Sequence, residues 1–121
     1  MLFIEAPAFT RRLASYLSDD DYRRLQETLL TNPEGGAVMP QTGGFRKLRW
    51  PDPRRGKGTR GGLRIIYYYF RQDAQLWMMT LYGKDELQDL TAAQKRALKA
   101  EIDSERQART ARQPPAGRKT R

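Results

Sequence analysis

The chain has 121 residues, enough for one compact domain with a modest core. It contains neither cysteine nor histidine. That excludes disulfides, thiolate nucleophiles, Cys-based zinc sites, a Ser-His-Asp triad, an HExxH zinc site and paired-histidine acid–base catalysis. The formal net charge of +9 is segregated: nine Lys/Arg and one acid lie in 46–71, and six Lys/Arg and no acid in 106–121, on an otherwise acidic protein. Such segregation fits a polyanionic partner better than a general need for solubility.

In chain order, "LFIEA" (2–6) is a short β-type run, and Pro7 suits a first helical turn. The run 8–17 spaces Phe9, Leu13, Tyr16 and Leu17 as one helical stripe. A second helix starts after Ser18, a good N-cap, with Asp19–Asp21 at the positive end of the helix dipole and Tyr22, Leu25, Leu29 and Leu30 as its stripe. Asn32-Pro33 ends it. A Gly/Pro-rich loop follows over 33–44, then a strand over 45–50. The segment 51–62 is polar, basic and rich in turn-forming residues. Strands are expected over 63–70 and 76–83, forming with 45–50 an antiparallel meander. The last helix starts near Thr91, where Gln94 completes a capping box, and Leu98 and Ile102 mark its apolar side. The expected class is α+β: a small twisted antiparallel sheet on an N-terminal helical hairpin, in the order β-α-α-β-β-β-α. The domain spans 1–105, and 106–121 is expected to be a disordered basic tail. No apolar run reaches the ~18 residues of a membrane span, and the first residues, with Glu5 among them and no basic leader, do not read as a signal peptide. The expected location is the cytoplasm.

Side chains alternate across a strand, so Lys47 and Arg49 share one face of 45–50, while Arg46, Leu48 and Trp50 share the other. Pairing as a meander brings Arg64 beside Lys47 and Arg49, with Tyr82 on the last strand and Lys84 just past its end. Cations interleaved with tyrosines suit nucleic acid, because Lys and Arg neutralise phosphates and rings stack on unpaired bases. Arg46, Arg54, Arg55, Lys57 and Arg60, with Tyr68 and Tyr82, are candidate RNA contacts. Crowded cations disfavour one another's charge, so a lysine here, Lys47 or Lys84, is a candidate general base. Arg49 and Arg64 are candidates to stabilise a pentavalent phosphate as a 2′-OH attacks it. This chemistry needs no metal and no cofactor.

The strings "GGFRKLRW", "RGGLRIIYYYF" and "LYGKDELQDLT", in that order, resemble the RelE superfamily of bacterial toxins, and within it the HigB branch. The likeness covers about residues 2–103. It implies a ribosome-dependent mRNA endonuclease that inhibits translation until a cognate antitoxin binds it. The antitoxin would be a helix-turn-helix protein encoded alongside, through which alone the complex would touch operator DNA. The resemblance places the catalytic cations at Lys47, Arg49, Arg64 and Lys84. Two departures stand out: Asp85 is acidic where some relatives have arginine, and the C-terminal helix offers no tyrosine. The competing readings are a gyrase-poisoning toxin of the same fold, which does not need the cation cluster, and a plain RNA-binding module.

Overall fold

Pro7 has no amide proton to leave unpaired, and it opens the first helix in the computed structural model of the chain, which describes residues 1–53 and 62–112. Before it lies β1 (Leu2–Glu5); the helix α1 runs Pro7–Tyr16. The Ser18 hydroxyl accepts the Asp21 amide at 3.1 Å and starts α2 (Asp19–Thr31), a cap worth about 1 kcal/mol. The strands β2 (Ala37–Val38), β3 (Arg46–Trp50), β4 (Leu63–Phe70) and β5 (Gln75–Gly83) follow, then α3 (Ala92–Arg112). The capping box forms as expected: the Gln94 amide donates to the Thr91 hydroxyl, and the Thr91 amide to the Gln94 side-chain oxygen.

The class is α+β, with a five-stranded sheet in the order β1-β5-β4-β3-β2. Strands β3, β4 and β5 form the antiparallel meander expected of them, with a bulge between Ile66 and Tyr67. The sheet as a whole is mixed, not antiparallel, because β1 lies parallel to β5. The helical hairpin carries the chain from β1 at one edge of the sheet to β2 at the other, and the meander then returns it to β5 beside β1. The chain also carries a strand more than expected, since the Gly/Pro-rich loop pairs Ala37 and Val38 with Lys47 and Arg46. The turn closing that ribbon uses positive φ at Gln41 and Gly43, and the Met39 amide bonds to the Phe45 carbonyl at 2.8 Å.

One sheet face carries Leu63, Ile65, Tyr67, Leu76, Met78 and Leu81 against Phe9, Leu25 and Leu29 of the hairpin. The opposite face has a core of its own, in which Ile102 of α3 meets Phe45, Ile66, Phe70 and Met79. Gly43 makes that approach possible, for a Cβ there would lie 2.6 Å from the Ile102 side chain. The helix α3 continues past Glu105 through Arg112. Beyond Glu105, Arg109 lies 3.7 Å from the centre of the Phe70 ring and pairs with Asp73 at 2.7 Å, so the helix is held by cation–π and ionic contacts where apolar residues run out. Among the described residues no helix is long and apolar enough to cross a membrane.

Candidate phosphate-binding site

Residues opposite one another on neighbouring strands share a face. In the observed register Arg49 faces Arg64, and Arg64 faces Tyr82, giving one row across β3, β4 and β5. Lys47 falls in the next row, opposite Ile66, on the same side. The row lies where β3 ends, β4 begins and β5 ends, and its inner member, Tyr82, belongs to the core under α3. Exposure grades inward along it: Arg49 is exposed, Arg64 buried and Tyr82 buried. Two arginines directly opposed on paired strands repel, at a cost of a few tenths to about 1 kcal/mol. A phosphate between them would turn that repulsion into attraction.

The segment after β5 forms one side of the site. Its exposed Lys84 follows Gly83 directly, and the Lys84 amide bonds to the Gly62 carbonyl at 2.7 Å. Asp89, on the same segment, pairs with Lys47 at 3.8 Å. Nothing in the sequence pattern singled out Asp89; its one signal is that an acid stands within reach of a basic cluster. Glu86 anchors the segment to α1, accepting the Gly83 amide at 2.7 Å and the Tyr16 hydroxyl and pairing with Arg12 at 3.3 Å. The Arg12 guanidinium also donates to the Leu81 carbonyl at 2.7 Å, so helix and strand are tied at the point where the segment begins.

Tyr82 is 5% exposed, and among the described residues its hydroxyl oxygen has no hydrogen-bond partner. Burial pushes this phenol above its ordinary pKa; the nearby Asp89 charge adds to the rise, and Arg64 opposes it. The group is therefore a neutral O–H donor at physiological pH.

Other candidates lie elsewhere. Arg46 is on the hairpin side, where its guanidinium donates to the Gly36 carbonyl at 2.8 Å and pairs with Glu34 at 3.7 Å, bracing the loop before β3. Tyr68 is half-buried, edge-on to Phe45 and beside Phe70, and its hydroxyl is engaged by Arg106. A base could stack on it only if α3 moved aside. Arg54, Arg55, Lys57 and Arg60 lie outside the described residues. Asp52, the one acid of the basic stretch, is buried just past the end of β3. No protein-family model matches the chain.

Proposed function

We propose that the chain is a RelE-type, HigB-branch toxin of a toxin–antitoxin pair: a metal-independent endoribonuclease that cuts mRNA on the ribosome in the cytoplasm and arrests growth until its antitoxin binds. The observation that carries this reading is the cation cluster of Lys47, Arg49 and Arg64, contributed by two strands to one sheet face, with Lys84 at the end of a third. A sheet with helices on both faces and a basic end is compatible with it.

In the proposed reaction a lysine, Lys84 or Lys47, takes the proton of a ribose 2′-OH. The oxygen attacks the adjacent phosphorus, the P–O5′ bond breaks as the leaving O5′ takes a proton from water, and the products are a 2′,3′-cyclic phosphate and a free 5′-hydroxyl. Arg49 and Arg64 meet the charge that builds on the pentavalent phosphorus, where fixed cations contribute most to rate. Whichever lysine serves acts in its neutral form; Lys84 is exposed, and Lys47 must first part from Asp89. The ribosome supplies a polyanionic surface for the basic blocks.

Induced expression followed by mapping of RNA 5′ ends tests this. Cuts are expected in translated messages only, and the Arg49→Ala, Lys84→Ala double variant should lose them by a factor of about a hundred or more while remaining folded, because both side chains are exposed. Full toxicity of that variant would remove the assignment. Growth arrest with DNA damage and intact messages would favour the gyrase-poisoning reading.

A further inference from the structure

A buried hydroxyl without a partner is costly to a fold, and most are satisfied by the protein or by water. Tyr82 is such a group, and it stands in the same row as two arginines. Phenylalanine would fill the position with the same ring and no orphaned oxygen, so folding does not explain the hydroxyl. The surroundings do suggest a use. An anionic group already sits here: Asp89 pairs with Lys47, and its charge is felt at the Tyr82 phenol. Asp89 is carried on an exposed segment and its side chain is 59% exposed, so an incoming phosphate can displace it.

Resting on the nuclease reading, we propose that Tyr82 is a catalytic residue whose hydroxyl donates a hydrogen bond to a non-bridging oxygen of the scissile phosphate, with Asp89 holding the phosphate's place in the free protein. The phenol keeps its proton throughout. Burial favours the neutral phenol, which suits a donor and does not suit a base. Arg49 supplies charge at the outer edge of the site, Arg64 charge further in, and Tyr82 a directed donor at the buried end, where a hydrogen bond to developing charge is strongest.

The test is Tyr82→Phe, measured on ribosomes programmed with a defined message. The single-turnover cleavage rate at saturating toxin should fall about tenfold or more. The melting temperature should stay level or rise, since the variant removes only an unsatisfied polar atom. Affinity for ribosomes carrying a message with a single 2′-deoxy nucleotide at the cut position should change less than about twofold, as expected for an interaction made mainly in the transition state. Three results overturn the proposal: wild-type cleavage by Tyr82→Phe, a lowered melting temperature, or a loss of affinity that matches the loss of rate. A wild-type protein that cuts no message sinks the nuclease reading itself, and this role with it.

Discussion

The side chain of Asp89 competes with whatever anion the sheet face receives. Its pair with Lys47 is long, at 3.8 Å, and open to water on the Asp89 side, so it contributes under about 1 kcal/mol to stability. Asp89→Asn should leave the unfolding midpoint nearly unchanged while raising the salt needed to elute the protein from heparin. Unchanged elution would mean that Lys47 takes no part in anion binding. That Lys47, Arg49 and Arg64 share a face was legible in the sequence, because strand alternation has a period of two and the meander leaves little choice of register. Arg46, one residue away, falls on the other face by the same rule, and it serves the loop carbonyls instead. Asp89 was not legible: it acts from an irregular segment, where no periodicity says which way a side chain turns.

Helices α1 and α2 were legible nearly to the residue, because Pro7, Ser18 and Asn32 punctuate them chemically. The C-terminal helix was harder. Its apolar stripe is thin, and residues such as Arg106 and Arg109 look like tail charges until Tyr68 and Phe70 are seen beneath them. The partner of β1 was equally hidden, since four extended residues carry no mark of the strand they will join. The segment following β5 depends on Glu86, which gathers the Gly83 amide, the Tyr16 hydroxyl and Arg12. Replacing Glu86 with alanine leaves these donors to find other partners and should cost about 1–2 kcal/mol, read as a lower urea midpoint. On the proposed nuclease reading, cleavage should fall more steeply than stability, because Lys84 and Asp89 ride on the segment that Glu86 anchors. A variant with normal cleavage would show that the segment keeps its place without the anchor.

Across the protein, both faces of the sheet are packed, and tyrosines take part on each side. Three of the six share one electrostatic condition. Tyr22, Tyr67 and Tyr82 all have their pKa raised above the ordinary value of 10.0, chiefly by burial, with Glu5 adding to the effect at Tyr22. For a group that loses a proton to become charged, a raised folded pKa means the native state holds the proton more tightly than the unfolded chain does. The stabilisation is complete below pH 10 and is lost as pH climbs through the folded values. In an alkaline titration followed by ultraviolet absorbance and circular dichroism, these three tyrosines should ionise together with unfolding. Smooth ionisation of all six with the fold intact would contradict the buried placement.

The parallel seam between β1 and β5 has a consequence for how such a protein comes into being. Leu2–Glu5 is synthesised long before Gln75–Gly83, and no nearer strand is offered to it. A nascent chain therefore carries an unmatched ribbon end until nearly the whole sheet has left the exit tunnel, and pairings so distant along the chain close slowly. For a protein proposed to attack translating ribosomes, late closure would spare the ribosome that is still making it.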